Sequence, residues 1–385
     1  MQAKSIKGIS PEEIGTSLKE SMTDGFKPTI AICFLPNKND VQKVCNIFDK
    51  NQIAIFGASA YGQFIDKNYD TDSIVVLMME IKREYFKIEF RETGSSSTEE
   101  IAKSIGEIGK TTFNQPAFLV ASGGIKTDGE RIIEGIQNTT GKETALFGGL
   151  AASNLDNIET FVFTNSKFST DGLIALILNE EKISVNGYAT GGSKPVGMFH
   201  TITSSDGNIV YTIDDQPALD LILRYSGKNV EDLKSETDML NLASSFHIQL
   251  QRENRSPISR TPVFANFNNK SVVFAGSLPK GSKVKFCMLP GFEVVDNVIV
   301  EFANYKKIVG SADAMILFSC QGREIAFGPW MTDEIQRINQ LWNSPMIGLF
   351  SFGEIGRNSE GQSEFYNLTC SLALLKEIEC NESTS

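Results

Sequence analysis

Two short stretches near the end of the chain hold the residues whose types and spacing most resemble a working site. Cys320-Gln-Gly-Arg323 closes one apolar run, and Ser351-Phe-Gly-Glu354-Ile-Gly356 closes the next. Where two such runs are neighbouring strands of an open α/β sheet, ligands bind beyond their carboxyl ends. An arginine there grips a carboxylate bidentately, and a glutamate accepts from an ammonium group. Arg323 and Glu354 therefore form a candidate clamp for a zwitterion, with Cys320, Ser351, Gly353 and Asn367 as further ligand contacts. The alternative is that Arg323 and Glu354 simply pair with each other. Asn367 either ties the polar loop before it to the glycine turn or faces the ligand. Cys320 as a nucleophile needs a neighbouring base, and no histidine lies near it in sequence.

Other chemical motifs are weaker. Gly124 and Gly129 have the spacing of a phosphate loop, but Glu130 and Arg131 stand where Lys and Ser/Thr would meet phosphate and magnesium. That segment reads as strand, turn and helix, with Asp128 as N-cap. Gly57-Ala-Ser59-Ala-Tyr61 misses the nucleophile elbow, since Tyr61 replaces the second glycine and a polar loop follows. His200 and His247 are the only histidines and both fall in expected strands; either could be structural or could hold a haem iron axially. The six cysteines form no Cys-x-x-Cys pair, which excludes zinc-ribbon and thioredoxin chemistry and leaves reduced, mostly buried thiols.

The elements that position these residues repeat. An apolar strand, an amphipathic helix, a strand ending in a glycine turn, a polar loop and a second apolar strand occur in that order three times. The first copy runs through Thr29–Leu35, Val41–Lys50, Ile53–Gly62 and Ser73–Met79. The second uses Ala117–Ser122, Glu130–Gln137, Ala145–Ser153 and Gly172–Leu178, and the third Ala314–Cys320, Thr332–Trp342, Met346–Gly353 and Thr369–Leu375. Continuous apolar runs between helices suit strands buried on both faces. The expected fold is α/β (α+β): mixed β-sheets built from repeated βαββ units, with helices on the outer faces, in two domains. Tyr61 and Gly148, at the strand ends of the first two copies, join the candidate ligand contacts.

The expected boundaries are a helical leader over 1–27, capped near Ser10, domains over 28–210 and 211–378, and a frayed tail over 379–385. Between the second and third copies, Ser271–Ala275 and Lys283–Met288 are expected to form a hairpin over Pro279-Lys280-Gly281. The net charge is −11, which opposes nucleic acid and anionic membrane surfaces. No apolar run approaches the ~20 residues of a membrane span, and no export signal is visible, so a cytoplasmic protein is expected.

At Gly276–Gly281, Phe318–Arg323, Pro345–Gly348, Ser351–Gly356 and Tyr366–Thr369 the chain resembles the FIST family, sensory modules of intracellular signal-transduction proteins. Looser matches are Ile55–Gly62, Leu146–Gly149, Lys194–Gly197, Gly207-Asn208 and Pro217-Ala218. Tyr366 departs from the family, which more often has a residue such as His before the Asn. The resemblance implies FIST N and FIST C domains and a small-molecule ligand such as an amino acid; with no complete catalytic constellation in the sequence, a non-catalytic sensor without a cofactor is expected. A separate signalling protein would then carry the output, because the two modules use up the length. Haem is the alternative cofactor it implies, in a nitric-oxide sensor acting on a kinase or cyclase. A Cys320-dependent enzyme is the third reading.

Overall fold

Apolar runs six to eight residues long have no polar face to give to water, so each must be covered on both sides. The computed structural model of the chain shows how. It describes residues 1–123, 127–154, 159–191, 195–233, 238–239, 242, 246–253, 255–288 and 293–378.

Each of the three copies forms one sheet with the same internal order. Ile30–Leu35 runs parallel to Ala54–Ser59 and antiparallel to Ile74–Glu80. Pro116–Ser122 does the same with Leu146–Leu150 and Gly172–Asn179, and Ala314–Cys320 with Met346–Ser351 and Cys370–Glu377. A fourth strand closes one side of each sheet: Gln2–Gly8, Phe86–Glu92 and Ile183–Thr190. The first of these corrects the expected helical leader. Residues 2–8 are an edge strand, and the helix starts only at Pro11, capped by Ser10 as expected.

The period of two along each strand divides the core. Ile30, Ile32 and Phe34, then Ala117, Leu119 and Ala121, then Ala314, Ile316 and Phe318 all enter one cluster shared by the three sheets. The alternate residues face outward, beneath helices. Cys33 packs with Val44 and Phe48, Phe118 with Ile105 and Ile136, and Leu317 with Phe302 and Ile338. In the helix Lys38–Lys50 the buried residues are Val41, Val44, Cys45 and Phe48, the spacing of one helical stripe.

The polar loops are hairpins, and each leaves its own sheet. The first copy's strands Gln63–Ile65 and Asn68–Asp70 pair onto Met346–Ser351 of the third sheet. From the second copy, Val162–Phe163 and Phe168–Ser169 pair onto Ala54–Ser59 of the first. From the third, Glu354–Arg357 and Ser363–Tyr366 pair onto Leu146–Leu150 of the second. Three exchanges thus close a cycle.

The glycines that mark the repeat sit where these hairpins arrive. Gly57 is opposite Phe163, Gly148 opposite Ile355 and Gly348 opposite Phe64. A Cβ on Gly57 would lie 2.3 Å from Phe163 Cζ, and one on Gly348 would lie 2.4 Å from Phe64 Cδ2. The middle strands therefore run on through glycine instead of turning at it, because the missing side chain admits the neighbour's ring.

Residues 195–288 are inserted in the third copy, between its edge strand and the helix Glu293–Val309. They build an eight-stranded antiparallel sheet and a largely separate core around Ile202, Ile248, Phe274 and Phe286. The expected hairpin is not formed. Ser271–Phe274 pairs with Ile209–Ile213 and Pro262–Asn266, whereas Lys283–Met288 pairs with Pro195–Asp206 and Phe246–Arg252. The connection between them is long, and Gly281 N donates to Ile202 O (2.7 Å), which carries it across to another strand. No helix among the described residues is long and apolar enough to cross a membrane.

Candidate functional site

A cavity of about 370 Å³ lies where the second copy, the third copy and the insertion meet. Thr127–Gly129 and Leu150 come from the second copy, Cys320–Gly322, Ser351, Phe352 and Phe365 from the third, and Asn208, Thr261 and Val273–Gly276 from the insertion. Asp128 caps the helix Gly129–Thr140, its carboxylate accepting from Glu130 N at 2.9 Å, as the sequence led us to expect. The loop residues 124–126 lie outside the described residues.

Polar clips hold the insertion onto the other two walls. The Glu130 carboxylate pairs with the Arg260 guanidinium and accepts from Ser277 N (3.1 Å) and Ser277 Oγ (2.7 Å). Burial works to raise Glu130, but Arg260 and the Ser277 hydrogen bonds together outweigh it and the carboxyl titrates below its ordinary value. Arg260 Nη1 also donates to Phe365 O at 3.0 Å. Arg252 meets Glu364 through two bonds of 2.6 and 3.0 Å.

Of the expected ligand contacts, Cys320 and Ser351 line the cavity. The other six take structural positions. Arg323 does not pair with Glu354 and does not line the cavity, which corrects both readings of that couple. The chain turns into the helix Gln321–Phe327 directly after Cys320, so Arg323 lies on a helix and not at a strand end. There its guanidinium pairs with Glu334 of the next helix and donates to Gly191 O (2.9 Å) and Leu368 O (3.3 Å). Glu354 is fully buried and accepts from Ser351 Oγ (2.8 Å) and from Thr369 N (3.3 Å) and Oγ1 (2.9 Å). Asn367 ties the insertion down, accepting from Thr261 N at 3.4 Å. Gly353 O accepts from Leu150 N (2.9 Å), Gly148 serves the hairpin exchange, and Tyr61 stands just before the first copy's hairpin and does not line the cavity.

Glu354 gives the site a pH signature. Burial pushes its carboxyl from the ordinary 4.5 up to about 8, against the lowering effect of its Ser351 and Thr369 hydrogen bonds. Between those values the folded protein holds a proton that the unfolded chain has released. Stability is therefore expected to fall as pH rises from about 6 to about 8, with a slope of up to about 1.4 kcal/mol per pH unit from this group. Thermal midpoints across that range check this, and Glu354→Gln is expected to flatten the slope. A wild-type midpoint that holds constant, or an unchanged slope in the variant, would refute the assignment.

Cys320 is a poor nucleophile in this setting. Burial raises its thiol far above the ordinary value, so it stays protonated at neutral pH. Neither histidine lines the cavity. His200 Nδ1 is 2.6 Å from Asp214 Oδ2, and its ring packs against both Tyr225 and Phe286, which stack on each other. His247 is 1% exposed, and burial lowers it to about 4. Its Nε2 is enclosed without a hydrogen-bond partner among the described residues.

Sequence reasoning missed most of the wall: Gln321, Thr261, Phe264, Phe274 and Phe365. A signal was available in the FIST-like stretches, since Asn208, Gly276, Gln321, Gly322, Phe352 and Leu368 fall within them and line the cavity.

No curated protein matches the chain. The FIST N domain matches residues 29–216 and the FIST C domain residues 218–357, so the boundary between them falls inside the insertion. With the two matches covering most of its length, the chain belongs to the FIST family, whose domains are sensory domains of signal-transduction proteins.

Proposed function

We propose that the protein is a non-catalytic sensor that binds a small molecule in the cavity between its second copy, third copy and insertion. A separate signalling protein reads the resulting change. The observation that carries this is the composition of the wall, to which both FIST segments contribute. A ligand there touches three bodies joined by polar clips and shifts how they sit together, which is how binding biases a conformational equilibrium. The volume is in the range of small-molecule pockets, about 300 Å³ and upward, and the wall is mainly apolar with a few polar groups. A protonated Cys320 without a base supports binding over catalysis.

A thermal-shift screen of amino acids, small amines and small carboxylates tests it. A ligand at ~100 times its Kd is expected to add about 2.7 kcal/mol of stability. Val273→Trp places an indole inside the cavity and is expected to abolish the shift while circular dichroism stays native. A hit whose shift survives Val273→Trp would place binding elsewhere and overturn the proposal.

A further inference from the structure

The charge of the wall narrows the ligand class, on the reading that this cavity is the ligand site. Among the described residues no Lys, Arg or His lines it. The two buried arginines nearby are already neutralised, Arg260 by Glu130 and Arg323 by Glu334. The ionised side chain on the wall is Asp128, with 45% of its side chain exposed, so it stands at the mouth. Its Oδ1 holds the helix cap, and its Oδ2 lies 4.0 Å from Arg131 Nε, beyond hydrogen-bond reach. Arg131 is in turn shared with Glu134 (2.6 Å) and Glu99 (3.4 Å), so among the described residues it does not neutralise Asp128 alone.

Behind Asp128 the wall includes four phenylalanines: Phe264, Phe274, Phe352 and Phe365. Aromatic walls beside a carboxylate attract an alkylammonium group, through ring faces and through charge. Gln321, also on the wall, is 3% exposed, and its Oε1 has no hydrogen-bond partner. A small rotation of that amide offers a ligand N–H an acceptor, and among the described residues the cavity presents no cationic side chain for a carboxylate. The protein's net charge of −11 acts in the same direction, raising the local concentration of cations.

We infer that the cavity takes a cationic amine with an apolar body, its ammonium group at Asp128 and its hydrocarbon among the phenylalanines. A free carboxylate on the ligand is not recognised and is disfavoured. An amino acid would then bind through its amino group and side chain alone, and more weakly than the corresponding amine.

Four probes with matched apolar parts decide this on the full chain by isothermal titration calorimetry: 2-phenylethylamine, phenylalanine, 3-phenylpropionate and 2-phenylethanol. The amine is expected to bind about tenfold or more tighter than phenylalanine and 3-phenylpropionate. Asp128→Asn keeps the helix cap, since Asn caps as well as Asp. It is expected to weaken the amine about three- to tenfold, a range reduced by the exposure of the mouth, and to leave the alcohol unchanged. Acid or phenylalanine binding as tightly as the amine, or an amine indifferent to Asp128→Asn, overturns the inference. If those probes then lose binding in Val273→Trp, the ligand site stands and only its charge preference falls. No binding by any of the four removes the inference.

Discussion

Gly57→Ala is expected to lower stability by about 2–3 kcal/mol, a large effect for one methyl group. Alanine normally improves on glycine inside a strand, because glycine gives up more backbone entropy. Here the added Cβ would meet the Phe163 ring at 2.3, 2.4 and 2.6 Å, and Phe163 is fully buried. The ring cannot swing away without opening a tightly packed cluster around Phe161, Ile55 and Leu35. Phe163 comes from the second copy's hairpin, so the clash tests the exchange itself. Phe163→Leu, with a smaller side chain, is expected to relieve part of the strain. In a double-mutant cycle the pair should cost less than the sum of the two single changes, by about 1 kcal/mol. Strict additivity of the two would mean that Phe163 does not sit over Gly57.

Arg323→Ala is expected to be more damaging, by about 3–5 kcal/mol, the usual result of stripping one partner from a buried ion pair. The Arg323 and Glu334 side chains are 2% and 1% exposed, so the abandoned carboxylate has no water to turn to. The carbonyls of Gly191 and Leu368 lose their donor as well. The signature that separates this from a ligand clamp is affinity. In the fraction that stays folded, a ligand of the cavity should bind Arg323→Ala as it binds wild type, because the guanidinium is not part of the wall. Lost affinity at intact stability would restore the clamp.

What could be read from the residues divides along physical lines. The strands at Ile30–Leu35, Pro116–Ser122 and Ala314–Cys320 lie within a residue or two of their expected places, since double-sided burial writes an uninterrupted apolar run. The caps at Ser10 and Asp128 were legible because their side chains act on neighbours two or three residues away. The hairpins were not. Gln63–Ile65 is three residues long, and its ladder is specified by Ile347–Leu349, far along the chain. A local pattern carries no mark of so distant a partner. The clamp failed for a related reason: Glu334 looks like an ordinary helix-surface residue until the packing of its helix leaves it fully buried. The cavity wall was hidden because phenylalanine, valine and leucine have the same composition in a core and beside a ligand.

The cyclic exchange of hairpins bears on the order of synthesis. Gln63 pairs with Leu349, so the first sheet to leave the ribosome must hold its hairpin unmated until Leu349 has been made. Val162–Phe163 can dock backwards onto the first copy early, whereas Leu146–Leu150 waits for Glu354–Arg357. Until then the second sheet carries an open edge, and the first copy an unmated hairpin, of the kind that pair indiscriminately with other chains. A break at the FIST N/FIST C boundary makes that wait permanent: residues 1–216 would keep a hairpin with no host and a sheet with no guest. The two named domains are thus halves of one cooperative closure.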